Sequence, residues 1–226
     1  MIEKLNIFNS NVIVEDACNL SIIFENDAVS FAVTNQQNEL VKSKKWIQCS
    51  ENEFIALVKK ETEHDYQFSK INIAFHNALV TTLPNVDNIA EAESVLFLNG
   101  GKQHDHLMLD VLDNDTALAY QISYELLTNI SYHFQGANYW HMHSVWMKTF
   151  KTPSANDAIF VHVEDHIFTL MIWKNQQAVF CTSYQYATQQ EILFYILKVI
   201  DLYQMDQHKA SVLISGMFAD KALEQS

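Results

Sequence analysis

The chain has 226 residues, 49% of them hydrophobic, which is enough to bury a core as one large domain or two lobes and argues against disorder. Fourteen Lys and Arg against 27 Asp and Glu leave a formal net charge of -13, so DNA, RNA and anionic membranes are repelled at long range. Cys18, Cys49 and Cys181 are widely spaced, with no C-x-x-C pair, and read as free thiols of a reducing compartment.

The first twenty residues break every apolar run with a polar or acidic residue, so they hold no signal-peptide core, and no run of ~18 apolar residues follows. A cytoplasmic protein without membrane insertion is expected. Leu20, Ile22 and Phe24 then alternate with polar residues up to Glu25, Asn26-Asp27 turns, and Val29, Phe31 and Val33 return, a hairpin pattern. A third strand, Glu39 to Trp46, ends at Ser50-x-x-Glu53, a capping box in which hydroxyl and carboxylate exchange bonds with first-turn N–H groups. Phe54, Leu57 and Val58 follow at helical spacing, and Ile71, Ile73 and Phe75 make a fourth strand.

Ile89 to Leu98 is helical, Gly100-Gly101 turns, and Leu107, Leu109 and Val111 are expected to pair through 113–115 with Leu118, Tyr120 and Ile122. A helix carrying Leu126, Leu127, Ile130 and Phe134 stops at Gly136. Tyr139 to His143 reads as a strand, with Ser144 capping a short helix through Val145, Trp146 and Phe150. Lys151 to Asn156, holding Pro153, is the expected boundary.

Beyond it the opening pattern returns. Ile159, Val161 and Val163 run to Glu164, Asp165-His166 turns, and Phe168, Leu170 and Ile172 come back, 139 residues after Leu20 to Val33. The third strand spans Ala178 to Tyr184. Thr188-x-x-Glu191 caps a helix with Ile192, Ile196, Val199, Ile200 and Tyr203, and Ala210, Val212 and Ile214 form the fourth strand. A shared turn, cap and element order indicate two related β-β-β-α-β halves: residues 1–150, with an inserted helix and hairpin at about 77–122, and a shorter half at 157–226. Such units build a mixed α/β sheet with helices on its faces.

This order resembles the actin-like ATPase fold, also called ribonuclease-H-like. The runs CNLSIIFENDAVSFAV, YQYATQQEILFYILKVIDLYQMD and VLISGM are similar to a family of uncharacterised bacterial proteins with that fold. The resemblance implies a nucleotide site in a cleft between the halves, with an Asp and a Gly-rich loop at each hairpin turn, where backbone N–H groups approach phosphate oxygens. Here those turns carry Asp27 and Asp165 but no glycine, and Glu25 and Glu164 add negative charge that repels a triphosphate. The adenosine-side Gly pair is echoed by Ser215-Gly216 alone. With Gly100, Gly101, Gly136 and Gly216 the only glycines, neither G-x-x-x-x-G-K nor G-x-G-x-x-G exists. The second half stops at Ser226, short of the elements an active member adds.

His141-x-His143 on a strand is half of a metal site; a third ligand is not evident from spacing, so two structural histidines are expected. G-x-S-x-G, H-E-x-x-H and reactive Cys-His spacings are absent. Tyr184, Tyr186, Phe194, Tyr195 and Tyr203 exceed what one helix face buries and suit a partner surface. The expectation is a catalytically silent actin-like-fold module without catalytic residue or cofactor, working through a protein partner. Its alternatives are a divergent Mg-nucleotide-binding enzyme using Asp27 or Asp165, and a small-ligand sensor.

Overall fold

A computed structural model describes residues 1–10, 12, 17–25, 28–62, 66–77, 79–83, 89–98, 100–112, 117–149, 157–164, 167–174, 177–206 and 208–216. The chain divides into two compact units between Val145 and Trp146. The expected linker at 151–156 lies outside the described residues, as do the hairpin turns at 26–27 and 165–166.

The first unit opens with β1 (Ile2–Phe8), β2 (Cys18–Glu25), β3 (Ala28–Thr34), β4 (Leu40–Ile47), helix α1 (Glu51–Thr62) and β5 (Phe68–His76). Leu20 faces Val33, Ile22 faces Phe31 and Phe24 faces Val29 across β2 and β3, and all six are buried, as the alternation predicts. β5 lies parallel to β2, and a parallel return needs a crossover, which α1 supplies. The Phe24 and Trp46 rings both meet Phe54 of α1 edge-on, at 5.3 and 5.8 Å. β1 was not foreseen. It pairs antiparallel with β4 while every residue of it stays exposed, so its sequence has no buried face to betray a strand.

At the start of α1 the capping box closes as expected: Ser50 N–H donates to Glu53 Oε2 at 3.0 Å and Glu53 N–H donates to Ser50 Oγ at 3.4 Å.

Next come β6 (Val80–Leu83), α2 (Ile89–Leu98), β7 (His106–Val111) and β8 (Ala117–Ile122), the strands forming a separate sheet ordered β6-β8-β7. The expected register between the last two is off by one. Leu107, Leu109 and Val111 face Gln121, Ala119 and Ala117. The small residues Ala117 and Ala119 cluster with Ala92 and Leu96 of α2, so room for the helix decides the face, and the larger Leu118, Tyr120 and Ile122 fill the other side. Both sides of β8 are buried, which erases the alternation that would reveal the register. α2 ends with Gly100 N–H bonded to the Phe97 carbonyl and Gly101 N–H to that of Leu96, at a φ of 100° for Gly100 that favours glycine.

Ser123 Oγ accepts from Leu126 N–H and caps α3 (Tyr124–His133). Then β9 (Asn138–His141) joins β5 in parallel, completing a sheet ordered β1-β4-β3-β2-β5-β9. The expected strand to His143 is too long: β9 stops at His141, and α4 (Met142–Thr149) begins at once. Ser144 is therefore a buried residue inside the helix and not its cap.

The second unit holds β10 (Ala158–Val163), β11 (Ile167–Lys174), β12 (Gln177–Gln185), α5 (Gln189–Leu202) and β13 (Ser211–Gly216), in the order β12-β11-β10-β13. β13 lies parallel to β10, and both hairpin pairings are antiparallel. Third, second, first, fourth is also the order of β4, β3, β2 and β5. Ile159 faces Ile172 as Leu20 faces Val33, at the expected offset. The fourth strands need a different one. Val212 stands opposite Ile159 as Ile71 stands opposite Leu20, so Ile71 matches Val212 and not Ala210; α5 has 14 residues against 12 in α1. The second capping box is also incomplete. Glu191 accepts from Ala187 N–H and the Thr188 hydroxyl, but Glu191 N–H bonds the Thr188 carbonyl instead of the hydroxyl.

α5 ends as α2 does, with Gln204 N–H on the Asp201 carbonyl and Met205 N–H on that of Ile200, yet Gln204 takes a φ of 51°. A side chain there costs roughly 1 kcal/mol that glycine avoids. Gln204→Gly is expected to stabilise the protein by about 0.5–1 kcal/mol, read as a raised urea midpoint; a lowered midpoint would contradict this ending of α5.

Candidate functional site

Ligands of open α/β sheets bind beyond the carboxyl ends of parallel strands. In the first unit those ends are Glu25, His76 and His141: Glu25 lies beside His76, and His141 beside Phe75. In the second, Val163 lies beside Gly216. Asp27 and Asp165, the expected phosphate-loop positions, lie outside the described residues.

The repulsion expected from Glu25 needs correcting. Lys45 Nζ sits 2.7 and 3.1 Å from the two Glu25 carboxylate oxygens, and both side chains are mostly shielded from solvent, so this charge is neutralised locally. Nearby, Lys42 and Lys44 share Glu61 at 2.6 and 2.8 Å. Lys42, Lys44 and Lys45 of β4 are thus each held by a carboxylate. The chain contains no arginine, so the forked donor that grips phosphate or carboxylate bidentately is missing altogether.

Three histidines gather at the ends of β5 and β9. The ring centres of His141 and His143 are 4.6 Å apart, and His76 lies 6.4 and 5.7 Å from them. All three are buried. His141 Nδ1 accepts from His143 N–H at 3.2 Å, so its proton sits on Nε2, which donates to the Asn77 carbonyl at 3.3 Å. Asp110 of β7 takes His141 N–H on Oδ2 at 2.7 Å and the Tyr120 hydroxyl on Oδ1 at 3.3 Å. Asn77 continues the chain of bonds to the Gln121 carbonyl at 3.1 Å. Both ring nitrogens of His141 are engaged, leaving no lone pair for a metal, and the strand geometry that paired His141 with His143 as ligands is gone. What the network does is pin the β6-β8-β7 sheet to the ends of β5 and β9. Burial, and then neighbouring His76, hold His141 down to about 3 from 6.5. Burial, His141 and His76 lower His143 well below the same value.

In the second unit Gly216 closes the pairing of the fourth strand with the first. A Cβ there would come 2.0 Å from the Val163 carbonyl oxygen, and φ is 105°, so the bare backbone serves the contact of β13 with β10. On the adjoining pair, His162 Nδ1 meets Ser215 Oγ at 2.8 Å and His162 Nε2 lies 3.6 Å from Glu164 Oε1. The Trp146 ring stands 4.8 Å from the imidazole. Serine, imidazole and carboxylate line up because His162 and Ser215 are cross-strand partners and Glu164 is two residues along. Sequence spacing could not show that, since 53 residues separate His162 from Ser215. His76, Asp110 and Tyr120 escaped for the same reason: β-strand registers bring them together, not local motifs.

A family model described as a protein of unknown function, DUF3822, matches residues 9–223. The chain belongs to the DUF3822 family. Its structure is similar to that of a protein with actin-like ATPase fold and unknown function from Bacteroides thetaiotaomicron VPI-5482, at a TM-score of 0.79 and 16% identity over 91% of this chain and 84% of the other. The cytoplasmic domain of EpsL, an inner membrane component of the type II secretion system of Vibrio cholerae, is similar at a TM-score of 0.52 and 8% identity, over 89% and 83%. No curated protein sequence matches. These likenesses establish the mixed α/β architecture as the actin-like ATPase fold. Among the described residues, no helix is long and apolar enough to cross a membrane.

The histidine cluster sets an acid limit on this DUF3822 protein. Unfolded, His141 takes its proton near 6.5; folded, not until about 3. The unfolded state therefore binds more protons throughout that window, and stability is full above it and falls as pH drops through it. His141→Gln, whose amide can accept from His143 N–H and donate to Asn77, is expected to flatten the fall, by up to a tenfold change in the folding constant per pH unit. Urea midpoints from pH 7 to pH 4 measure it, and parallel curves for variant and parent would refute the assignment.

Proposed function

We propose that this DUF3822 protein is a catalytically silent member of the actin-like ATPase fold, acting in the cytoplasm as an interaction or scaffold module with a protein partner. The observation that carries the reading is the state of the strand ends in the first unit. Where a ligand would meet the sheet, Glu25 is paired with Lys45, and His141 is saturated by His143, Asn77 and Asp110. These groups are consumed in holding elements together and offer no donors to an anion. A triphosphate brings several charges that N–H groups, cations or a helix N-terminus must meet, and a chain without arginine and with four glycines is poorly supplied with them. The EpsL domain, part of a secretion system, supports the analogy of an actin-like fold used in assembly, an analogy of fold and not of site.

The shared strand order of the two units supports an internal duplication. In that reading one fold unit has been kept twice for its surfaces.

Calorimetric titration with Mg-ATP, Mg-GTP and ADP tests the proposal. No saturable heat is expected at affinities tighter than about 100 μM. Saturable binding that is lost on Asp27→Ala or Asp165→Ala would replace this reading with a divergent Mg-nucleotide enzyme.

A further inference from the structure

The strand ends of the second unit hold side chains that the proposed function does not use. His162 of β10 and Ser215 of β13 stand opposite each other across the parallel pair, each one residue short of its strand's carboxyl end, where open α/β sheets receive ligands. Ser215 Oγ lies 2.8 Å from His162 Nδ1, and Glu164 Oε1 lies 3.6 Å from the far nitrogen, Nε2.

This order sets the direction of the hydrogen bond. An ionised carboxylate only accepts, so Glu164 draws the ring proton to Nε2 and leaves the lone pair of Nδ1 for the serine. Ser215 therefore donates and His162 accepts, which is the relation that activates a hydroxyl as a nucleophile when a third group orients the base. The trio is held in place. Glu164 N–H donates to the Ile167 carbonyl at 2.8 Å, and its carbonyl accepts from the Tyr186 hydroxyl at 2.6 Å, so the main chain on both sides of the carboxylate is anchored. The Trp146 ring lies 4.8 Å from the imidazole and the Phe160 ring stacks on it at 6.5 Å. The trio is also open to a reagent: the His162 and Glu164 side chains are 24% and 21% exposed, and Ser215 is half-buried.

Charge and surface select the chemistry. With a formal net charge of -13, no arginine and Glu164 at the site, an anionic phosphoryl donor is repelled, whereas a neutral carbonyl compound is not. Leu213 stands two residues before Ser215 on the same face of β13, opposite Phe160, and is 37% exposed, an apolar neighbour for the group attached to that carbonyl.

We propose that Ser215 is a nucleophile that takes an acyl group from a neutral activated ester, with His162 as its general base and Glu164 as the residue that positions the base. As Oγ bonds to the carbonyl carbon, its proton passes to His162 Nδ1, and the imidazolium so formed faces Glu164. The bond from that carbon to the leaving alcohol's oxygen then breaks, and the imidazolium returns the proton to the alcohol. The products are an ester on Ser215 and free alcohol, with no oxidant, metal or nucleotide consumed. The step modifies the chain itself and uses none of the groups on which the silence toward nucleotides rests, so either reading can fail without the other.

Reaction of the full chain with an alkyl fluorophosphonate and with p-nitrophenyl butanoate, mapped by peptide mass, tests it. Both are expected to mark Ser215, and Ser215→Ala to lose the mark. His162→Gln is expected to slow labelling at least ~100-fold, the share a general base supplies. Glu164→Gln keeps the size and main-chain bonds of the parent and carries the comparison where His162→Gln disturbs the strand pair. It is expected to lower the maximal labelling rate about tenfold, with the melting temperature and the probe concentration at half-maximal rate unchanged, a split that a merely structural carboxylate would not produce. p-Nitrophenyl phosphate is expected to leave Ser215 unmarked. An unmarked Ser215 in the folded parent would overturn the proposal, as would labelling at the parent rate in Glu164→Gln, and phosphoryl transfer to Ser215 would overturn the acyl assignment.

Discussion

A strand that must lie parallel to its neighbour cannot be reached by a tight turn. That constraint shapes both units. β5 joins β2, and β13 joins β10, only because a helix carries the chain back across the sheet. The helix in turn dictates which face of each strand is apolar: Ile192, Ile196 and Val199 of α5 cluster with Ile159, Val161, Phe168 and Leu170, and Phe54 of α1 sits between Phe24 and Trp46. Each large buried side chain contributes about 1.5–3 kcal/mol relative to leaving it in water. The crossover therefore satisfies topology and core packing with one element, and the same solution appears in both units.

That coupling explains what was legible beforehand. Wherever a strand has one buried and one wetter face, as β2 does with its strict alternation, residue order alone reveals strand, partner and turn. It fails where the faces do not differ. β1 is exposed throughout and β8 buried throughout, so the first was missed and the second was set one residue out of register. At His141 the failure was of a boundary: Tyr139 to His143 alternates plausibly, but α4 starts at Met142, and two imidazoles expected on one strand face became an edge-on pair across a strand-to-helix junction. The glycine deficit was legible as chemistry, because a phosphate loop needs bare backbone. The pairing of Glu25 with Lys45 was not, because the ion pair depends on the registry of three strands.

The strand ends of the first unit show a consequence of docking a second sheet against the first. The β6-β8-β7 sheet is held by Asp110, Asn77 and the main chain and ring of His141, groups placed where an open α/β sheet ordinarily receives a ligand. Buried polar groups must be satisfied, at a cost of about 1–3 kcal/mol for each one left unpaired. A ligand at this place would have to replace bonds that already exist, to neutral imidazoles and a shared carboxylate, and would bring no better partners for them. Docking the β6-β8-β7 sheet and opening the strand ends are therefore competing uses of the same atoms.

In the second unit the described strand ends are organised by backbone contact. Gly216 lets β13 approach Val163 more closely than any side chain would permit, which draws the fourth strand tight against the first and carries Ser215 to within 2.8 Å of His162. The same contact sets the register that stands Ser215 opposite His162, with Glu164 Oε1 3.6 Å from the far ring nitrogen. Chemistry-bearing groups are thus placed here by the register between first and fourth strands, as Asp110 and His141 are placed in the first unit by the meeting of two sheets.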